Sequence, residues 1–145
     1  MLFKVNDIQP LLCKCKIRLK CASFQLAMKE EATCVDLSLH YNILVTGAER
    51  ANVGIWDLQT GNRNAELVGH SQGLTGIRIL PETSIGKFLL SAPLIVTSSY
   101  DGTLRLWSGK HHVCLAFLKG HRDLIRSLEC TTTRYISFYH TKNDS

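Results

Sequence analysis

Residue types that can act together as nucleophile, base and orienting acid lie close together in this chain: His70, the pair Ser98-Ser99, and Asp101. A Ser–His–Asp set performs acyl transfer when the serine sits on a strained turn beside an oxyanion hole. No Gly-x-Ser-x-Gly elbow surrounds Ser98 or Ser99. Metal-ligating types form two further groups, Cys13/Cys15/Cys21 and His111-His112-x-Cys114. Neither has the paired C-x-x-C spacing of a zinc site. The chain also lacks a P-loop, a dinucleotide fingerprint and a His-Glu-x-x-His helix. The expectation is therefore no catalytic residue, no metal and no cofactor, with His70, Ser99 and Asp101 left to be explained by the elements that hold them.

Those elements repeat. Val45–Trp56 lies over Val96–Trp107 without a gap at an offset of 51, and Gly69-His70 then falls on Gly120-His121. Upstream the offset is 42, because the second copy carries nine extra residues within positions 80–93. The unit is thus about 42 residues long, a period typical of repeat architectures. Each unit reads as short strands with turn signals between them. Cys34-Val35-Asp36-Leu37 and Leu104-Arg105-Leu106-Trp107 alternate apolar and polar residues, and Ile43–Thr46 and Leu94–Thr97 are compact apolar runs. Asp101-Gly102 signals a tight turn. That gives four strands per unit and no helix.

Gly-His, an apolar strand, then Ser-x-Asp-Gly-Thr-Leu-Arg-Leu-Trp resembles the WD-repeat family of β-propellers. The resemblance implies an all-β, incomplete WD-repeat β-propeller of four-stranded antiparallel blades. Residues 1–31 would be a basic segment and remnant of a preceding blade, 32–70 a degenerate first blade, 71–121 a second blade with the 80–93 insertion, and 122–145 the start of a third blade with a divergent tail. The third copy runs from Gly120-His121 through Cys130 and then shows no second strand, turn Asp or Trp. The resemblance also implies a structural hydrogen-bond network of His70, Ser99 (or Ser98), Asp101 and Trp107 in the second blade. The first blade has Arg50 for the turn Asp, Ala48 for the Ser and Met28 for the His, so it should lack that network. One face would present Glu49, Arg50, Gln72, Tyr100, Arg122 and Asp123 to a partner, and the insertion would lie on the opposite face. Rings close with roughly four to eight blades, so the chain is expected to be a piece of a larger domain.

Composition narrows the partner. The net charge of +5 is concentrated in residues 1–30, where six Lys/Arg face Asp7 and Glu30. The run Cys13–Cys21 alternates, setting Lys14, Lys16, Arg18 and Lys20 on one face of an expected strand. Without interleaved aromatics this basic face is a weak nucleic-acid signal, and RNA or phosphoinositide binding stands as the alternative to a protein partner. The N-terminus lacks the basic-then-apolar pattern of a secretory signal, and no apolar stretch reaches the length of a membrane span. Six scattered cysteines then read as reduced thiols of the cytoplasm or nucleus. The resemblance to the WD-repeat family, not composition, implies the expected function: a non-enzymatic scaffold for other proteins, with a substrate-recognition subunit of a ubiquitin ligase, as in F-box/WD-repeat proteins, as one concrete version.

Overall fold

A computed structural model describes residues 16–18, 23–25, 31–80, 92–119, 125, 127–130 and 136–139, all of them strand, turn or coil. The strands are β1 (Lys16–Arg18), β2 (Ser23–Gln25), β3 (Ala32–Ser38), β4 (Ile43–Ala48), β5 (Val53–Asp57) and β6 (Arg63–Leu67). They continue with β7 (Leu74–Leu80), β8 (Leu94–Ser99), β9 (Thr103–Ser108), β10 (Cys114–Lys119), β11 (Ser127–Cys130) and β12 (Ile136–Tyr139). Two sheets have four strands, in the orders β3-β4-β5-β6 and β7-β8-β9-β10, and two are antiparallel pairs, β1-β2 and β11-β12. Every neighbouring pair is antiparallel and joins consecutive strands, so each sheet is a simple meander.

The sheets stack face to face. Val45, Val53, Ile55 and Leu67 of the first meet Leu74, Ile77, Ile95 and Trp107 of the second in one buried cluster. Val96 and Leu104 on the other face of the second sheet meet Ile125 and Leu128. The central strands β4 and β8 are covered on both faces, which is why they read as unbroken apolar runs rather than strict alternations. Size is traded where sheets touch. Cys34 pairs with Gly47, and a Cβ on Gly47 would stand 2.7 Å from Cys34 Sγ and 2.8 Å from Leu74 Cβ. At the matching place in the second sheet the small residue has changed strand. Gly76 pairs with Ser98, and a Cβ there would stand 2.8 Å from Ser98 Oγ and 2.9 Å from Leu128 Cβ.

One sequence expectation changes here. The third copy does have a second strand: β12 pairs with β11 from Ser127↔Tyr139 to Cys130↔Ile136. Its residues fail to match the family pattern, but a four-residue ladder needs only main-chain groups and a turn of suitable length. Of the alternating run Cys13–Cys21, the described strand is Lys16–Arg18 alone, paired with Ser23–Gln25. The rest of the run lies outside the described residues, as do Met28 and insertion residues 81–91.

Candidate functional site

The second sheet contains a continuous hydrogen-bonded relay. Trp107 Nε1 donates to Thr97 Oγ1 at 2.8 Å. Thr97 Oγ1 is 2.8 Å from His70 Nε2, and His70 Nδ1 is 2.8 Å from Asp101 Oδ2. The proton positions follow from the donor inventory. Asp101 can only accept, which puts a proton on His70 Nδ1. Burial favours the neutral ring, so the bare Nε2 accepts from the Thr97 hydroxyl while a Thr97 lone pair takes the indole N–H. His70 is then neutral, with its proton on Nδ1 pointing at the Asp101 carboxylate. A second proton on Nε2 would leave the Thr97 hydroxyl without its acceptor. Burial lowers the His70 pKa below its usual value, with Asp101 opposing that shift.

Asp101 gathers the surrounding loops. Besides His70 it accepts from the Ser71 amide (3.0 Å), the Thr103 amide (2.9 Å) and the Thr103 hydroxyl (2.6 Å). Burial would raise its pKa, but these donors outweigh that and hold it at about 2. Gly102, at φ 75°, closes the β8–β9 turn. The hydroxyl in the relay is therefore Thr97, not Ser99 or Ser98. Thr97 and Trp107 lie on the same face of the adjacent strands β8 and β9, whereas Ser99 reaches the end of β8, where it donates to the Gln72 carbonyl (2.8 Å) and accepts from the Asp101 amide (3.1 Å). Ser98 instead meets Thr75 Oγ1 at 2.9 Å. His70 thus contacts neither serine; its partners are Thr97, Asp101 and Thr103. The offset of 51 contained the signal, since it sets Thr46 over Thr97 as surely as Trp56 over Trp107.

The first sheet retains half of the relay: Trp56 Nε1 donates to Thr46 Oγ1 at 2.9 Å. Its β4–β5 turn keeps the same shape without Asp or Gly. Ala51 takes φ 68° where Gly102 stands in the second sheet, and its amide bonds the Ala48 carbonyl as that of Gly102 bonds Ser99. Asp57, of the Trp-Asp pair, works locally by accepting from the amides of Gln59 and Thr60.

The relay fixes one end of the two sheets. The Tyr100 amide donates to the Gly73 carbonyl at 3.0 Å, joining the β8–β9 turn to the β6–β7 connection. Thr33 Oγ1 donates to the Leu74 carbonyl at 2.8 Å, tying the first sheet to the second. Between them is a cavity of about 460 Å³ lined by Thr33, Glu49, Gln72, Gly73, Leu74, Thr75 and Tyr100. Of the residues expected on the partner face, Glu49, Gln72 and Tyr100 meet here, and Tyr100 is 46% exposed. Arg50 is exposed on the same turn as Glu49 but does not line the cavity. Arg122 and Asp123 lie outside the described residues. Thr33, Leu74 and Thr75 were missed, because only the stacking of two sheets brings them to the opening. Among the described residues there is no group of three or more His, Cys, Asp or Glu able to hold a metal, and no helix long and apolar enough to cross a membrane.

Comparison with known proteins agrees with this geometry. Residues 61–108 match the WD domain, G-beta repeat family, from β6 through β9. The chain is 28% identical over 97 residues to Polycomb protein esc of Musca domestica, covering 65% of this chain and 21% of that protein. It is 31% identical over 77 residues to guanine nucleotide-binding protein subunit beta-5b of Danio rerio, covering 53% and 17%. It is 26% identical over 107 residues to human WD repeat and SOCS box-containing protein 1, covering 68% and 24%. The chain thus spans about a fifth of the length of these relatives. The crystal structure of the computationally designed Ika4 protein superimposes with a TM-score of 0.58 at 24% identity, over 71% of this chain and 56% of that one, a likeness of fold. Repeat spacing, meander topology and the match over residues 61–108 together show a WD-type repeat in this chain, and its two four-stranded antiparallel sheets are consistent with blades of an incomplete β-propeller.

Proposed function

We propose that the chain acts as a non-enzymatic protein-interaction scaffold, holding a partner at the cavity where its two complete sheets meet. The observation that carries this reading is the convergence of Glu49, Gln72 and Tyr100 from two sheets on one rigidly stitched opening. Tyrosine combines contact area with a hydrogen-bonding tip and few rotatable bonds, which suits an interface anchor. The relay beneath is a structural brace, because its hydroxyl is buried and already engaged on both sides. A recognition or adaptor role in a ubiquitin ligase is the finer version. It draws on the resemblance to F-box/WD-repeat proteins and on the SOCS box in the name of the human relative.

The test is affinity capture from cell extract with the wild type, Tyr100→Ala, Glu49→Lys and a control, Val68→Ser, which alters an exposed residue away from the cavity. A partner held at the cavity should be lost at least tenfold with Tyr100→Ala or Glu49→Lys and kept with the control, with circular dichroism unchanged. Binding that ignores these changes but falls steeply with salt would overturn this reading in favour of RNA or phosphoinositide binding through Lys14, Lys16, Arg18 and Lys20.

A further inference from the structure

The fourth strands of the two complete sheets can be compared position by position. At the offset of 51, Asn64, Ala65, Glu66 and Leu67 of β6 stand over Leu115, Ala116, Phe117 and Leu118 of β10. The ladders agree. Glu66 lies opposite Gly54 and Phe117 opposite Arg105, while Ala65 lies opposite Ile55 and Ala116 opposite Leu106. Asn64 and Leu115 are each the residue that the ladder skips. β6 meets water with polar side chains: Arg63, Asn64 and Glu66 are exposed, and Arg63 Nη2 pairs with Glu66 Oε1 at 3.1 Å. β10 and the residue before it meet water with apolar ones. Val113, Leu115 and Phe117 are 49%, 53% and 57% exposed.

The sheet itself does not require this exchange, because β6 builds the same ladder with Asn and Glu. One exposed apolar side chain is ordinary on a protein surface. Several within a few residues, at places where the sister strand is polar, make a patch of the kind that marks a contact. Leu118 is left out of it, since its counterpart Leu67 is buried rather than polar. Charge around the patch is one-sided. Residues 102–119 contain Arg105, Lys110 and Lys119 and no Asp or Glu. Phe117 stands where Glu66 answers Arg63, and Arg105 and Lys119 lie over its ring at 5.8 and 5.7 Å from the centroid. Arg105 Nε is buried without a hydrogen-bond partner, and Nη1 reaches Cys114 Sγ at 3.9 Å. Among the described residues no carboxylate pairs with these three cations.

We propose that β10 is a docking surface for an acidic, apolar segment of a partner protein. Leucine or phenylalanine side chains of that segment cover Leu115 and Phe117, and its carboxylates meet Arg105, Lys110 and Lys119. Charge complementarity selects the acidic class, because cations with no carboxylate of their own attract one and reject a basic partner. Nucleic acid fits less well. A strand of bases needs successive aromatic rings to stack on, whereas the exposed apolar side chains here are one ring beside the aliphatic Val113 and Leu115. The surface is separate from the Tyr100 cavity, which no residue of β10 lines.

The experiment is fluorescence anisotropy with the full chain and three labelled probes: a short peptide alternating Glu with Leu and Phe, the same peptide with Lys for every Glu, and oligouridylate. Two double variants accompany the wild type. Leu115→Asn with Phe117→Glu gives β10 the residues that β6 already carries at those places, so the sheet should keep its form. Lys110→Glu with Lys119→Glu reverses two exposed charges and leaves the apolar patch intact. The expected result is binding of the acidic peptide alone, weakened about tenfold or more by either double variant and unchanged by Tyr100→Ala. Failure of the acidic peptide to bind the wild type would overturn the proposal. So would equal binding of the Lys-substituted peptide, tighter binding of oligouridylate, or an affinity that ignores both double variants. Partner capture at the Tyr100 cavity is read separately, so either idea can fail alone.

Discussion

Thr97→Val removes one buried hydroxyl and keeps the side chain's shape. Thr97 is 0% exposed, so water cannot replace what is lost. Two partners are stranded: the Trp107 indole N–H loses its acceptor and His70 Nε2 loses its donor. Each unsatisfied buried group costs about 1–3 kcal/mol, giving about 2–6 kcal/mol for the substitution. That is a large share of the roughly 5–15 kcal/mol by which most domains are stable. In the first sheet, Thr46→Val strands the Trp56 indole, so it should cost about 1–3 kcal/mol. Urea unfolding of the wild type and both variants at one protein concentration measures these values, with unchanged slopes marking a change in stability alone. At about 4 °C per kcal/mol, Thr97→Val should also lower Tm by about 8 °C or more. Equal costs for the two variants, or a Thr97→Val cost under about 0.5 kcal/mol, would refute the relay as drawn.

Acid should act on the same relay in two stages. The folded-state pKa of His70 lies below its usual value. The unfolded chain therefore takes up the proton first, and stability should begin to fall as pH drops below about 6.5. The Asp101 carboxyl sits at about 2, so its contribution is intact above the ordinary carboxylate range and is lost as pH falls from about 4 towards 2. Replacing His70 with Gln should flatten the first stage in a pH series of melts. Ala51→Gly should stabilise by about 0.5–1 kcal/mol, because Ala51 holds φ 68° with a Cβ that disfavours it; a loss of stability on urea unfolding would contradict this. Gly47→Ala should destabilise by about 1–3 kcal/mol by pressing a methyl on Cys34 and Leu74, and a neutral result would show that the sheets are not so closely packed.

The repeat made much of this legible. An offset of 51 aligns whole strands, so the two meanders, the Asp101-Gly102 turn and the partnership of His70, Asp101 and Trp107 could be expected from residue type and spacing. The hydroxyl was misassigned because three consecutive hydroxyl residues, Thr97, Ser98 and Ser99, compete for the role. Side chains alternate along a strand, so which one faces His70 depends on register, and register is set by packing across the sheet. β12 was missed for a related reason: main-chain pairing leaves little trace in residue type. The cavity was half legible. Glu49, Gln72 and Tyr100 sit on turns that spacing locates, whereas Thr33 and Thr75 reach it through contact between separate sheets.

The relay is the brace on which the proposed partner face depends, and its proton arrangement can be observed directly. Long-range ¹H–¹⁵N NMR of the imidazole nitrogens at pH 7 reports the state of His70. A neutral ring with its proton on Nδ1, together with a slowly exchanging Trp107 indole N–H, is the expected result. A ring protonated on Nε2, or an imidazolium, would contradict the chain of donors running from Trp107 through Thr97 and His70 to Asp101.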